Sequence, residues 1–340
     1  MQQNTRMNTT ANRWTGSLAV AAALAAACSL VACGGGSGGS GGSATVAAAP
    51  IALSSTPVTE PGAPASVGNI AIDGRDWINF RRRQIGIPEL KQNTLVDSAA
   101  QAHSDYQKLL PIKSSGDPAD PTHTEESGRA GFTGVELRAR LNTAGYTFAK
   151  NSYAYGEVIS ATSSNSGAYM AEELITAIYH RFAIFEPMFK EIGTGSGTTS
   201  KNYTYFTADF TANDGYGPGI APGLVVTWPV SGQTQVTPNF FSDYEQPDPV
   251  PDKNEVGYPV SVHANLNAAM AVNTFTIRPR GGADLATKQI LHYSDEAQTV
   301  PIAAAIVPLN PLRAATMYDV SFTGYVNSLR VEKSWSFTTR

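Results

Sequence analysis

Between Leu95 and Leu110 the apolar residues Leu95, Ala99, Ala102, Tyr106 and Leu109 recur every three or four positions. That spacing places them on one face of a helix, which Pro111 ends. The same reasoning predicts a helix over 76–86, closed by Gly86 with Pro88 just beyond, and one over 135–144 with Gly145 in the C-terminal position. A fourth runs over 168–185, with Met170, Leu174, Ala177, Ile178 and Phe185 on one stripe and Pro187 after it. Between and after these helices, 153–160, 191–197 and 203–210 read as strands, the last two joined by a Gly/Ser/Thr turn. Mixed helices and strands in one stretch predict an α+β domain, its helices packed on a mostly antiparallel sheet. Beyond Gly215-Tyr-Gly-Pro-Gly the pattern changes to short β-rich runs separated by Pro, Gly, Asn and Asp: 224–228, 258–264, 274–279, 302–307, 317–323 and 333–338. These predict an all-β sandwich, with the boundary between the two domains near 213–222.

The N-terminal segment follows neither pattern. Arg6 and Arg13 precede an apolar, Ala-rich stretch from Leu18 to Val31, which reads as an export signal. It is shorter than the roughly 20 residues a spanning helix needs. The stretch runs into Leu30-Val31-Ala32-Cys33, which resembles the lipobox of bacterial lipoproteins. The resemblance implies cleavage before Cys33 and its diacylation; the alternative is an ordinary signal cut near Ala32. Two acyl chains give a stable membrane anchor where one gives only marginal binding. Gly34 after the cysteine implies the outer membrane if the cell has two. Residues 34–43 are almost pure Gly and Ser, and 44–67 hold few large apolar residues, so 34–67 reads as a solvated linker. The chain thus divides into a signal at 1–33, a linker at 34–67, a first domain at 68–213 and a second at 222–340.

Composition narrows the partners. The two cysteines are Cys28, within the signal, and Cys33, so the processed chain has no disulfide although its expected compartment is oxidising. Lys and Arg number 24 against 28 Asp and Glu, interspersed and without a basic stripe, which argues against nucleic acid. Oligomeric state is not encoded in any pattern found.

With five histidines in the chain, each can be weighed. His263 and His292 lie among the β-rich runs without partners at metal-ligand spacing and read as structural or surface residues. His103, beside the apolar stripe of the second helix, reads as a hydrogen-bonded packing residue. His123 in a polar loop, Glu157 near a strand start and His180 near a helix end could meet only through the fold.

Residues 77–210 carry Asn79-x-x-Arg82, the run Ile85 to Leu90, Leu95 with Ala99 to Ser104, His123, Ala144-Gly145-Tyr146, Gly156-Glu157-Val158-Ile159, His180-Arg181 and Ile192 to Gly195, in that order. Together these resemble the CAP superfamily, the cysteine-rich secretory proteins, antigen 5 and pathogenesis-related 1 proteins, in its bacterial form. The resemblance implies an α-β-α sandwich whose cleft gathers His123, Glu157 and His180. Two imidazoles and a carboxylate make a candidate Zn²⁺ or other divalent-metal site with an open fourth position; the same trio could equally form a polar ligand cavity. Several positions depart from the family pattern. Val158 replaces an Asn, Leu174 a Trp and Ala177 a Ser, and the strand over 203–210 has no histidine, so the fourth member of the family's tetrad is missing. Glu173 lies ~10.5 Å along the helix axis from His180, too far to share an ion with it. Residues 226–339 in turn resemble bacterial Ig-like domains, through Pro229-x-x-Gly232-Gln233, the stretch from Glu245 to Pro249, Pro308-x-x-Pro311-Leu312, Thr316-x-Tyr318 and the closing Trp335 to Thr339. Trp335 and Phe337 are expected in the sandwich core and Tyr318 in a corner.

Three functions follow as expectations: a lipid-anchored module binding a lipid, an envelope component or a metal ion; a structural or adhesive surface protein; and a hydrolase using the same cleft, with or without metal. No nucleophile elbow, H-E-x-x-H motif or cysteine nucleophile supports the last.

Overall fold

The computed structural model describes residues 15–19, as a strand, and residues 60–340 apart from 151 and 297. The rest of the signal segment, Cys33 and the linker up to residue 59 lie outside the described residues.

The first half is built on one sheet with helices on both faces. Its strands are β1 (Thr15–Ala19), β2 (Lys91–Gln92), β3 (Ala154–Thr162), β4 (Glu191–Thr198) and β5 (Thr204–Ala212), and its helices α1 (Ile70–Ile85), α2 (Thr94–Gln107), α3 (Leu137–Thr143), α4 (Gly167–Thr176) and α5 (Ile178–Ile184). Strands β3, β5 and β4 form the antiparallel centre. β2 joins β4 in parallel, and β1 runs parallel to β3, with Thr15 opposite Glu157 and Ala19 opposite Ala161. The signal reading covers β1; in the structure this segment occupies the edge of β3, where an extended chain satisfies backbone groups a sheet edge otherwise leaves open.

Helix α1 begins where Asn69 Oδ1 accepts the N–H of Ile72, six residues before the periodicity predicts. The Asn-x-x-Arg pattern has a physical role here. Asn79 exchanges two hydrogen bonds with the backbone of Leu90, and Arg82 donates to the carbonyls of Pro88 and Ile184. Together they fold the chain back after α1. The chain is already held at Glu60, within the expected linker, because Glu60 accepts from Arg81 and Gln84.

On one face of the sheet, α2 lies against β4 closely enough to exclude side chains. A Cβ on Gly193 would come within 2.1 Å of the Val96 carbonyl carbon, and one on Gly195 within 2.3 Å of Gln101 backbone atoms. Thr194, pointing to the other face, bonds the Ala71 carbonyl of α1. The α+β reading of this half therefore stands.

The second half is all β. It comprises β6 (Val226–Trp228), β7 (Asn239–Phe241), β8 (Glu245–Gln246), β9 (Glu255–Gly257), β10 (Val260–His263), β11 (Met270–Pro279), β12 (Thr287–Leu291), β13 (Ala303–Pro308), β14 (Met317–Val326) and β15 (Leu329–Thr338). A four-stranded sheet, β12-β13-β10-β6, and a three-stranded sheet, β11-β14-β15, contribute to a common core, with β7 and β9 paired beside them. Trp335 and Phe337 are buried in that core. β8 departs from this plan and pairs with β1 at the edge of the first sheet.

The two halves share one continuous buried cluster. Arg181 donates to the Pro259 carbonyl and lies over the Tyr258 ring, and Tyr179 Oη donates to Asp295. His263 packs between Phe182 and Phe185 and bonds Ser261 Oγ, a structural role; burial, aided by Arg181, pushes it down to about 3.

Candidate functional site

His123 is carried by the polar loop between α2 and α3, and Glu125 shapes that loop. Glu125 accepts the N–H groups of Thr133 and Gly134 and lies 2.9 Å from His103 Nδ1 on α2. Burial works against its charge, but these donors outweigh burial and hold the carboxyl below its ordinary range. The other ring nitrogen of His103 lies 2.8 Å from the Thr122 carbonyl. Both nitrogens thus face acceptors, and the ring ties the loop to α2 from each side, the hydrogen-bonded packing role its sequence position suggests. Gln107 Oε1 takes the Thr122 N–H and completes the anchor.

So positioned, His123 Nδ1 lies 2.7 Å from Glu157 Oε1 on β3. Arg140, from α3, donates to Glu157 Oε2 at 2.6 Å and to the His123 carbonyl at 2.8 Å. Burial again opposes ionisation of Glu157, but Arg140 first, then His103 and His123, hold its carboxyl far below the usual range. Arg140 itself is raised: burial opposes its charge, and Glu157, Asp209 and Glu125 overcome that. Asp209 sits opposite Glu157 on β5. It is fully buried, and neither of its oxygens has a donor among the described residues. Burial first, then the neighbouring Glu157 charge, raise its carboxyl well above the usual carboxylate range.

His180 is held elsewhere. Its Nδ1 lies 2.9 Å from Glu245 Oε1, and the same carboxylate accepts the N–H groups of Ile178, Tyr179 and His180. The structure therefore joins two of the three expected residues, His123 and Glu157, and gives His180 a different carboxylate. Cys33, the expected lipidation site, lies outside the described residues.

Both oxygens of Glu157 are taken, by His123 and Arg140, and the guanidinium supplies the positive charge a cation would bring. Among the described residues no group of three or more His, Cys, Asp or Glu side chains is placed to hold a metal ion. Arg140 already neutralises Glu157 at 2.6 Å, and the described residues add no third ligand, so the donor set does not fit a metal ion.

Four contributors escape sequence reasoning. Arg140 and Glu125 look like ordinary helix and loop charges, and Glu245 lies in the other half of the chain. Asp209 gives one signal, a lone acid in an otherwise uncharged strand.

Residues 76–210 match the family model described as the Cysteine-rich secretory protein family, CAP. Among curated proteins no sequence matches the chain. The matched segment runs from α1 to β5 and takes in His123, Arg140, Glu157, His180 and Asp209. With helices on both faces of an antiparallel centre, residues 76–210 form a CAP domain.

Proposed function

We propose that the protein is exported, anchored to the cell envelope through lipidated Cys33, and uses its CAP domain as a binding module for a lipid or other envelope component rather than as a hydrolase. The observation that carries this reading is the pairing of Glu157 with Arg140 and His123. A general base needs a proton affinity matched to its task, and here Arg140 and His123, one on each oxygen, hold the Glu157 carboxyl far below its usual range. A carboxylate fixed in this way is suited to orienting His123 toward a polar ligand group. Cleavage before Cys33 would also remove β1 and uncover the edge of β3 from Glu157 to Ala161 beside that pair.

We read the C-terminal part as an Ig-like module. Support comes from its two sheets and from Tyr318 at the start of β14, whose Oη accepts the Arg313 N–H at 2.7 Å. The contacts of Tyr179, His180 and Arg181 favour a second, structural role. They make the module a rigid extension of the CAP domain, as a spacer or adhesive surface protein requires.

The test is native mass spectrometry of the full chain after incubation with a total envelope lipid extract, beside His123→Ala and Glu157→Gln. Adducts on the wild type that both variants lose support a binding cleft. Adducts that persist in both place binding outside it, and hydrolysed lipid products that require Glu157 would establish the enzyme instead. Labelled palmitate incorporated by the wild type and not by Cys33→Ser tests the anchor.

A further inference from the structure

Away from the His123–Glu157 pair, a cavity of about 350 Å³ opens between the two halves. Its walls come from both. Met188 and Phe189, after α5, face Leu266 and Ile302 of the β-rich half, and Tyr216 lines it from the connection. Close-packed interiors leave few voids larger than a water molecule, while ligand pockets start at roughly 300 Å³ and are mostly apolar with a few placed polar groups. Here the placed group is Glu186, the one ionisable carboxyl on the wall. Its Oε1 accepts the Met188 N–H at 3.3 Å, and its Oε2 has no hydrogen-bond partner among the described residues.

We propose that this cavity between the two halves binds a small, uncharged aromatic molecule bearing a single hydroxyl group, with Glu186 as the partner of that hydroxyl. The apolar lining excludes an anionic ligand, because no fixed cation faces the space to compensate it, and Glu186, raised to about 7, offers a cation little counter-charge at pH 6. A hydroxyl both donates and accepts, so it suits a carboxyl in either protonation state. This matters because burial pushes Glu186 up to about 7, against the Met188 N–H and the Arg82 guanidinium. Tyr216, Phe189 and Tyr153 offer ring faces and edges for an aromatic body. The site draws on the junction of the two halves and is independent of the proposed role of His123 and Glu157.

The experiment is a fluorescence titration of the full chain carrying Cys33→Ser with 1-naphthol at pH 6, beside naphthalene and 1-naphthoate. Two variants accompany it. Ala269→Trp fills the mouth from an exposed position that tolerates a large side chain, and Glu186→Leu removes the polar partner. Saturable one-site binding of 1-naphthol is expected, weaker for naphthalene and weakest for the anion. Ala269→Trp should abolish it, and Glu186→Leu should lower 1-naphthol affinity roughly tenfold while sparing naphthalene. Absence of saturable binding, or binding that survives Ala269→Trp in a variant of unchanged circular dichroism, overturns the site. Equal affinity for 1-naphthol and naphthalene overturns the assigned chemistry.

Discussion

Glu245 closes on His180 from the other half of the chain, its Oε1 2.9 Å from Nδ1. The same buried carboxylate accepts three successive backbone N–H groups at the start of α5. Those groups would otherwise be orphaned, because Ala177 provides no side-chain cap. The negative charge also meets the positive end of the short helix. The predicted single helix over 168–185 is therefore two, broken at Ala177, whose ψ of 124° is extended.

Replacing Glu245 with Ala should destabilise the protein by about 2–4 kcal/mol, through loss of a charged cap and exposure of unpaired donors in a dry site. Glu245→Gln should cost less, since the amide oxygen still accepts. Urea unfolding of the full chain measures both, and equal stability of wild type and Glu245→Ala would show that the cap contributes nothing.

The close approach of α2 to β4 makes a second expectation. Gly195→Val places a branched side chain where even a Cβ would lie 2.3 Å from Gln101 backbone atoms. The helix must move outward by more than local relaxation allows, and a loss of about 3 kcal/mol or more follows. A Tm within a degree of wild type would contradict the packing.

These two sites also show what the chain discloses. Gly193 and Gly195 were legible as part of a motif, and the helix and strand periods of the first half were legible because each buries one face against the sheet. The pairing of His123 with Glu157 followed only from the resemblance, since their spacing carries no period. The partner of His180 was hidden because Glu245 lies 65 residues away, in a stretch whose composition belongs to the β-rich half. Arg140 was hidden for a different reason. An arginine in a short polar helix reads as solvated until the fold buries it between Glu157 and Glu125.

Arg140 yields a third expectation. Arg140→Met should cost about 3–5 kcal/mol, because Glu157 is left buried with its charge uncompensated. By the same logic, Zn²⁺ titrated into the wild-type chain should give no near-stoichiometric heat in calorimetry. Stoichiometric binding that His123→Ala removes would restore the metal reading of the cleft.

Two buried carboxyls make stability depend on pH in a way that single variants can isolate. Glu173 takes the Tyr169 hydroxyl on Oε1, has no partner for Oε2 among the described residues, and is pushed up to about 7 by burial despite that bond. Glu186 is raised to about 7 as well. Below the ordinary glutamate pKa, folded and unfolded chains both carry these protons. Between there and about 7 only the folded chain does, so stability falls as pH rises, and above 7 the loss is complete. His263, lowered to about 3, works the other way: its contribution is present above the ordinary imidazole range and is lost as pH falls toward 3. The overall curve superposes these effects, so the informative quantity is a difference. Glu173→Gln mimics the protonated acid, and its stability should match wild type near pH 4. At pH 8 it should exceed wild type by up to roughly 3 kcal/mol, the bound set by the distance of the raised value from the ordinary one. Thermal unfolding of both proteins at pH 4, 6 and 8 reads this directly. A constant offset between the two curves would mean that Glu173 does not titrate in this range, and a wild type gaining on the variant with rising pH would reverse the sign of its coupling.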